Sequence, residues 1–314
     1  MEKDAYFSGS SKLIGNADRL VEFQQTNRLR PITLDVSPTN QCNLNCSFCS
    51  VKERDQEEYL LPTQSLSIVK KYMDLGIKSV VLTGGGEPTL WKYFDRFVRH
   101  CKDTFQLKLG LITNGLKLHE IDPEILGRFE WIRVSMNGID HDIDLDFSTI
   151  PYSVDLSLNY VWVHDNPYAK KVIEKIPKYI NLYPRISIVK IQEDIFKENV
   201  FITDADINHL NTLEKKCQGK MIYRKKKFLT SCVPKVCYMG WIKPHLDADG
   251  QVYRCVCSAY WSRKLDPVHL MPVNPDNYPD NDLFSTQRCH TCFFEKQNNL
   301  IHQFRMKKKH DDFI

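Results

Sequence analysis

The sequence has no run of about 18 apolar residues, the length that a membrane-spanning helix needs. Its amino terminus, MEKDAYFSGSSKLIGNADRL, mixes charges of both signs and lacks the apolar segment of a secretory signal peptide. Internal repeats and low-complexity tracts are also absent, and 42% of the 314 residues are hydrophobic and 26% charged. This composition excludes the fibrous and disordered classes. We therefore expect a globular, cytoplasmic protein that does not contact membranes.

Cysteine, in contrast, is abundant, with 11 residues in the chain. In a reducing compartment, closely spaced cysteines more often bind metal or carry out redox chemistry than form disulfides. Three of them, Cys42, Cys46 and Cys49, lie within the stretch QCNLNCSFC. Six more lie in the last third of the chain: Cys232, Cys237, Cys255, Cys257, Cys289 and Cys292. Cys101 and Cys217 stand alone, and we expect both to be small buried side chains.

Short apolar runs alternate with helical patterns between residues 31 and 215. The runs predict strands at residues 32–36, 77–83, 107–113, 131–135, 154–163 and 185–191. Such alternation is typical of parallel βαβ units, so we predict an α/β fold with a partial (β/α)6 TIM-like barrel. Its site is expected on the loops that follow the strands. The connection 139–151 is acidic and only weakly helical, and Pro177 interrupts the helical pattern before the last strand.

The pattern changes near residue 221. The segment IKPHLDADGQVYRCVCS has two strand-like arms around the turn DADG, which indicates a β-hairpin. A helical stretch follows CHTCFFEKQ and ends near residue 306. We therefore predict four parts: an amino-terminal extension (1–30), the barrel (31–220), a small hairpin-and-helix domain (221–306) and a basic tail (307–314).

The opening triplet of cysteines is one ligand short of a structural zinc site, which normally has four ligands. No fourth cysteine lies near it in the sequence. Three thiolates can instead bind three irons of a four-iron, four-sulfur cluster and leave the fourth iron open. An open iron suggests catalysis.

The spacing C-x-x-x-C-x-x-C, with Phe48 before the last cysteine, resembles the signature of the radical S-adenosylmethionine (radical SAM) superfamily. LTGGGEPTL, at the end of the second predicted strand, is similar to that family's glycine-rich GGEP motif. The resemblance covers residues 30–215. It implies that Cys42, Cys46 and Cys49 bind the cluster, and that the open iron binds the amino and carboxylate groups of S-adenosylmethionine. It further implies that reductive cleavage yields a 5′-deoxyadenosyl radical, which takes a hydrogen atom from the substrate.

The same resemblance assigns residues to the S-adenosylmethionine site. These residues follow the second, third and fourth predicted strands: Gly84, Gly85, Gly86, Glu87, Asn114 and Ser135. The glycines would let the backbone approach the methionine end closely. Asn114 and Ser135 would bind the ribose or carboxylate, although each could also be an ordinary turn residue.

The later cysteines contain a second set of four thiolates: Cys237, Cys255, Cys289 and Cys292. The set resembles the Twitch extension, a shortened SPASM domain in which a hairpin and a helix carry one auxiliary four-iron, four-sulfur cluster. Cys232 could replace Cys237, and Cys257 could replace Cys255. Zinc suits four thiolates equally well. We favour an iron–sulfur cluster, because a radical SAM barrel already requires cluster assembly and an electron path.

Substrate and partners are less well defined. Lys190 and His164, after the last two predicted strands, could bind a carboxylate or phosphate or move a proton, or could be exposed loop residues. The basic runs at 224–227 and 305–310 could contact phosphate, although a solvated strand edge and a charged tail explain them more simply. We also expect a reducing partner such as flavodoxin or ferredoxin.

Three functions are compatible with the sequence. The first is a radical SAM enzyme that oxidises, epimerises or rearranges a small polar metabolite or a modified side chain. The second is the same chemistry on a nucleotide or a nucleic-acid base, which the basic runs would favour. The third, of a different class, is a non-enzymatic zinc or electron-transfer protein.

Overall fold

A computed structural model of the chain describes residues 9–163, 166–193, 203–224, 234, 236–265, 284–285 and 292–306. The strands are β1 (Thr33–Val36), β2 (Ser79–Leu82), β3 (Lys108–Thr113), β4 (Trp131–Ser135), β5 (Asp155–Trp162), β6 (Ile186–Glu193), β7 (Met221–Arg224), β8 (Val236–Cys237), β9 (His245–Leu246), β10 (Val252–Tyr253) and β11 (Phe284–Ser285). The α-helices are α1 (Gly9–Ile14), α2 (Ala17–Thr26), α3 (Pro62–Leu75), α4 (Phe94–Arg99), α5 (Pro123–Leu126), α6 (Ala169–Leu182), α7 (Asp204–Lys216), α8 (Met239–Ile242), α9 (Val256–Leu265) and α10 (Glu295–Arg305).

One mixed sheet organises the molecule, with the strand order β10-β9-β1-β2-β3-β4-β5-β6-β7. Strands β1 to β7 pair in parallel and in chain order, and β9 pairs in parallel with β1. The six predicted barrel strands are confirmed as β1 to β6, and the fold is the predicted α/β partial barrel. Because its parallel strands all end at the same edge, the loops after them lie side by side.

Two segments that the sequence placed outside the barrel also join this sheet. Strand β7 extends it beyond β6, and the predicted hairpin forms as β9 and β10, which pair antiparallel beside β1. Gly250 closes the hairpin turn with a φ of +81°, a conformation that favours glycine. The division of the chain at residue 220 remains a prediction, although β7, β9 and β10 share one sheet with the barrel.

Helix α6 continues through Pro177, where the sequence predicted an interruption. A proline inside a helix removes a backbone hydrogen bond and costs about 3 kcal/mol. The core-facing side of α6 offsets this cost with a row of buried side chains: Ala169, Val172, Ile173, Ile176, Tyr179 and Ile180. Burying one large apolar side chain contributes about 1.5–3 kcal/mol, so packing outweighs the proline here.

Residues 139–151, all of which the structure describes, contain no α-helix. After a 3-10 turn (Met136–His141), three apolar side chains of this connection are buried, namely Leu145, Phe147 and Ile150, whereas Ile143 is exposed. Its carboxylates pair with lysines of α6. Lys171 donates to Asp142, and Lys175 Nζ lies 2.9 Å from Asp144 Oδ1. These ion pairs explain why an acidic, weakly helical segment covers this side of the sheet.

Helix α10 packs against α1 and α2, and so joins the two ends of the described chain. The ring of Phe23 on α2 meets Tyr238 edge to face at 5.8 Å. On the other side, the Tyr238 hydroxyl lies 2.9 Å from His302 Nδ1 on α10. No helix among the described residues is long and apolar enough to cross a membrane.

Candidate active site

A cavity of about 350 Å³ lies at the carboxyl edge of the sheet. Its wall contains every residue that the radical SAM resemblance assigned to the first cluster and to S-adenosylmethionine: Cys42, Cys46, Cys49, Gly84, Gly85, Gly86, Glu87, Asn114 and Ser135. Val161 of β5 and Gln192 of β6 complete the far side. The sheet therefore brings together residues spread over 150 positions, from Cys42 to Gln192.

The cysteine loop begins after β1 and is closed at its base by backbone hydrogen bonds. Asn40 N–H donates to the Glu58 carbonyl at 2.9 Å, and Leu60 N–H donates to the Pro38 carbonyl at 2.8 Å. Within the loop, Cys49 N–H donates to the Cys46 carbonyl at 3.1 Å. The thiols are therefore held on a tied loop.

Arg54 holds the same loop from inside. Its guanidinium donates to the carbonyls of Asn40 and Val51, at 2.6 and 2.8 Å, and lies 3.4 Å from Cys49 Sγ. Sequence reasoning did not find this residue, because a single arginine among charged neighbours has no local signature. Among the described residues, no other arginine lines the cavity.

The glycine loop after β2 lies against the stem of the cysteine loop. Gly86 N–H donates to the Thr39 carbonyl at 2.9 Å, and Glu87 N–H donates to the Gln41 carbonyl at 2.7 Å. A Cβ on Gly86 would lie 2.1 Å from the Gln41 oxygen, closer than real side chains come. The contact between the two loops therefore requires glycine at this position, whether or not a cofactor is bound.

Glu87 is fully buried and links the glycine loop to the end of β3. Its carboxylate accepts hydrogen bonds from the backbone and hydroxyl of Thr89, at 3.1 and 2.8 Å. It also accepts from the Thr113 hydroxyl and the Asn114 N–H, both at 2.6 Å. Burial raises the pKa of Glu87, while these hydrogen bonds oppose the shift. The carboxylate lines the cavity and at the same time fixes its wall.

The next two strand ends are tied in a similar way. Asn114 Nδ2 donates to Asn43 Oδ1 in the cysteine loop at 2.7 Å. Ser135 Oγ donates to Asn137 Oδ1 at 3.2 Å. The buried Asn137 makes two hydrogen bonds to the backbone of Val161. Its Nδ2 donates to the carbonyl oxygen, and its Oδ1 accepts from the N–H. Asn114 and Ser135 therefore have structural partners besides facing the cavity.

The chemistry of the wall fits a cluster held by three thiolates. Among the described residues, the cavity lining contains three cysteines, no histidine and one carboxylate, Glu87, which already accepts four hydrogen bonds. No group of three or more His, Cys, Asp or Glu side chains within the described residues is placed to hold one metal ion. Ligands of one zinc ion converge on a point, whereas thiolates of a four-iron cluster bind separate irons. Three thiols on one cavity wall can therefore provide one ligand for each of three irons of a cluster.

Burial also raises the pKa of two of these thiols. It raises the pKa of Cys46 to about 12, with a smaller contribution from the neighbouring thiols of Cys49 and Cys42. The pKa of Cys42 is raised for the same reason. Because thiolates are the metal-binding form, cluster binding must displace these protons.

The two predicted proton-moving residues are only partly accounted for. Lys190 is not part of the cavity lining. Its ammonium group donates to Oε1 of Gln192, and Gln192 does line the cavity. His164 lies outside the described residues. Roles for Lys190 and His164 remain predictions.

The later cysteines meet where β8, α9 and α10 approach one another. Cys237 ends β8, Cys255 and Cys257 lie at the start of α9, and Asn298 Nδ2 of α10 donates to Cys292 Sγ at 3.5 Å. Burial raises the pKa of Cys237 to about 12, with contributions from Cys255 and Cys292, so these thiols are near one another. A hydrogen bond from Cys257 lowers the pKa of Cys255. Cys289 and Cys232 lie outside the described residues.

The two isolated cysteines, Cys101 and Cys217, are both fully buried, as the sequence predicted. The structure also reveals buried polar residues that sequence reasoning missed: Ser37, His245, Asp247 and Tyr260. They lie between β1, the hairpin and α9, close to the glycine loop. Their partners are distant in sequence, so no local pattern could have identified them.

Comparison with known proteins gives three findings. The Radical SAM superfamily model matches residues 36–183. The probable GTP 3′,8-cyclase of Pyrococcus abyssi is 35% identical over 114 residues, which is 35% of this chain and 37% of that protein. The corresponding protein of Methanocaldococcus jannaschii is 23% identical over 284 residues, or 77% of this chain and 94% of that one. The chain thus spans about a third of the length of most of the curated relatives that it matches.

Among solved structures, SuiB of Streptococcus suis bound to S-adenosylmethionine has a TM-score of 0.57 at 16% identity. The likeness covers 87% of this chain and 72% of SuiB, and at this identity it shows the fold. The family match contains the cysteine loop, the glycine loop, Asn114 and Ser135. Residues 36–183 are therefore similar to the radical SAM superfamily, whose fold binds a four-iron, four-sulfur cluster and S-adenosylmethionine.

Proposed function

We propose that the protein cleaves S-adenosylmethionine reductively and removes a hydrogen atom from a nucleotide. The observation that carries the first part is the shared cavity, in which the three thiols of the cysteine loop face the glycine loop. Cys42, Cys46 and Cys49 would hold the cluster and leave one iron open toward this cavity. When bound, the cluster supplies the electron for cleavage, and the 5′-deoxyadenosyl radical that results abstracts the hydrogen atom.

The chain's own residues position this chemistry. The glycine loop lets a cofactor approach its backbone closely because Gly84 and Gly85 carry no side chains, and Glu87 fixes that loop to the end of β3 through Thr113 and Asn114. Asn114 and Ser135 offer an amide and a hydroxyl to a ribose or carboxylate. Such hydrogen-bonded support keeps contacting groups in one geometry, which is what orienting a reactive molecule requires.

We further propose that Cys237, Cys255, Cys289 and Cys292 hold one auxiliary four-iron, four-sulfur cluster. Support comes from Cys237, Cys255 and Cys292, whose thiols influence one another electrostatically and therefore lie near one another. A cluster with four protein ligands has no open iron, so it would transfer electrons or dock the substrate. A small reductant such as flavodoxin or ferredoxin would supply electrons to the first cluster.

The nucleotide is favoured by the relatives, several of which are named probable GTP 3′,8-cyclases. This proposal takes up the second of the functions that the sequence allowed. Gln192 of β6 lines the far side of the cavity and accepts a hydrogen bond from Lys190, so this pair could meet a polar substrate there. A lysine ammonium can neutralise a phosphate.

Anaerobic reconstitution with iron and sulfide, followed by incubation with S-adenosylmethionine and a strong reductant, tests both parts. We expect 5′-deoxyadenosine in all reactions, and more of it with one of a panel of nucleoside triphosphates that includes GTP. The nucleotide that reacts should transfer deuterium into 5′-deoxyadenosine when it is supplied deuterated. Stimulation by peptides or by other small metabolites alone would reject the nucleotide. Absence of both iron uptake and 5′-deoxyadenosine would reject the enzyme and favour a non-enzymatic protein.

A further inference from the structure

A buried chain of hydrogen bonds connects the auxiliary region to the glycine loop. The Tyr260 hydroxyl of α9 lies 2.9 Å from Ser37 Oγ, which lies 3.2 Å from His245 Nε2. The same hydroxyl bonds the carbonyl oxygen of Gly84. Ser37 and His245 are fully buried, and Tyr260 is 8% exposed. None of these three side chains lines the cavity, and the radical SAM chemistry proposed above does not use them.

The direction of every bond in this chain follows from the last acceptor. A carbonyl oxygen cannot donate, so Tyr260 must donate its single hydroxyl hydrogen to Gly84. Ser37 must then donate to the Tyr260 oxygen, and its own oxygen accepts from His245. His245 therefore carries its proton on Nε2. The Gly84 carbonyl thus stands at the end of a series of donors that all point toward it.

Fixing this carbonyl also fixes part of the cavity wall. The peptide group is planar and trans, so the Gly85 N–H points opposite to the Gly84 carbonyl. Glycine has no side chain to restrict its backbone, and external contacts must therefore hold such a peptide in one orientation. Gly84 and Gly85 both line the cavity.

Helix α9 brings Tyr260 to this position from the auxiliary region. The helix begins at Val256, directly after Cys255. Its Ala259 and Tyr260 pack with Val51 of the cysteine loop, and Cys49 is partly buried against the same group. The backbone of Ser37 is also paired with the hairpin, since its N–H donates to the Leu246 carbonyl at 2.8 Å. Helix α9 therefore starts next to Cys255 in the auxiliary region and contacts both the cysteine loop and the glycine loop.

We propose that Tyr260 is a positioning residue for S-adenosylmethionine: its hydroxyl orients the Gly84–Gly85 peptide, so that the auxiliary region sets the affinity of the glycine loop for the cofactor. The inference rests on the proposed function of that site. It adds a specific dependence of cofactor affinity on a residue outside the family match, which ends at residue 183.

The test compares Tyr260→Phe with Tyr253→Phe in the reconstituted full-length protein. Tyr260→Phe keeps the ring and removes the hydroxyl. Tyr253 is the control, because its hydroxyl donates to Asp249 in the hairpin. Loss of one hydrogen bond should weaken S-adenosylmethionine binding about tenfold. We expect this rise in Kd in Tyr260→Phe, with wild-type iron content, and an unchanged Kd in Tyr253→Phe.

Two further readouts separate positioning from a general loss of structure. The KM for S-adenosylmethionine in the cleavage reaction should rise about tenfold while kcat stays nearly constant, because only uniform binding is lost. At saturating S-adenosylmethionine, the electron paramagnetic resonance spectrum of the reduced first cluster should match that of the wild type. Ser37→Ala, which removes the middle of the chain, should raise Kd by about threefold.

Equal Kd values for wild type and Tyr260→Phe would overturn the proposal, and so would equal weakening in Tyr253→Phe. If Tyr260→Phe loses iron, Ser37→Ala decides: an unchanged Kd in that variant also overturns it. Failure of the proposed function is distinguishable, because the wild-type protein itself would then bind no cluster or no S-adenosylmethionine.

Discussion

Glu87 accepts a hydrogen bond from the backbone N–H of Asn114 at 2.6 Å and so joins the loop after β2 to the end of β3. The same carboxylate holds Thr113 and Thr89. A glutamate within a glycine-rich motif thus has a structural role that is separate from any contact with S-adenosylmethionine.

Replacing Glu87 with glutamine tests this role. The amide nitrogen cannot accept a hydrogen bond, so buried donors of Thr113 or Asn114 lose their partner, at about 1–3 kcal/mol for each unsatisfied group. We expect Glu87→Gln to lower the free energy of unfolding by about 2 kcal/mol or more. Denaturant unfolding measures this change. Glu53→Gln, at an exposed position of the cysteine loop, should be neutral; a comparable loss there would contradict the assignment.

The elements that were predicted from the sequence are those with a local signal. Period-two and period-3.6 apolar patterns located β1 to β6 and the hairpin, and short motifs located both loops of the cavity. In contrast, Tyr260 meets Ser37 across 223 positions and Gly84 across 176. Neither end of such a bond carries information about the other, so Tyr260 and Ser37 could not be paired from one sequence.

Burial also overrode local propensity in particular places. Helix α6 passes Pro177 because its apolar face is fully buried. Strand β7 was missed because four residues that extend an existing sheet need little pattern of their own. Arg54 was missed because its partners are backbone carbonyls and a sulfur atom.

The connection 139–151 gives a prediction about pH. The hydrogen bond from Lys175 holds the pKa of Asp144 below its usual range. A lowered carboxyl pKa contributes stability above the unfolded pKa of about 4, and this contribution is lost as the pH falls through the folded pKa. Asp144→Asn should therefore cost a few tenths of a kcal/mol at pH 7, since the pair is exposed, and progressively less as the pH falls below about 4. A double-mutant cycle with Lys175→Gln, measured by denaturant unfolding, isolates the pair; coupling that persists at low pH would contradict this account.

The cysteine loop gives a prediction about iron. Single substitutions of Cys42, Cys46 and Cys49 by alanine should each remove about four irons per chain and abolish 5′-deoxyadenosine. Cys101→Ala is the control, because Cys101 is a buried core side chain away from both clusters' ligands and should retain all iron. Full iron content in the three loop variants would show that the loop does not bind the cluster.

The auxiliary cysteines can be distinguished in the same way. If Cys255 is the ligand, Cys255→Ala should lose about four irons while Cys257→Ala keeps them. Both thiols lie at the start of α9 and are hydrogen-bonded to one another, so the two variants are closely matched. Iron and zinc analysis of the purified proteins provides the measurement. The opposite pattern would assign Cys257 as the ligand, and zinc in place of iron would reject an auxiliary cluster.

Arg54 should tune the reduction potential of the first cluster. Its guanidinium lies 3.4 Å from Cys49 Sγ, and a positive charge beside a thiolate ligand stabilises the reduced cluster, which carries one more negative charge. Arg54→Gln is therefore expected to lower the midpoint potential by about 60 mV, a tenfold change in the one-electron equilibrium. A potentiometric titration followed by electron paramagnetic resonance measures the shift. Lys52→Gln removes the same charge from an exposed position of the loop and should shift the potential much less. Equal shifts in both variants would mean that only the net charge of the loop matters, and that the hydrogen bond to Cys49 does not.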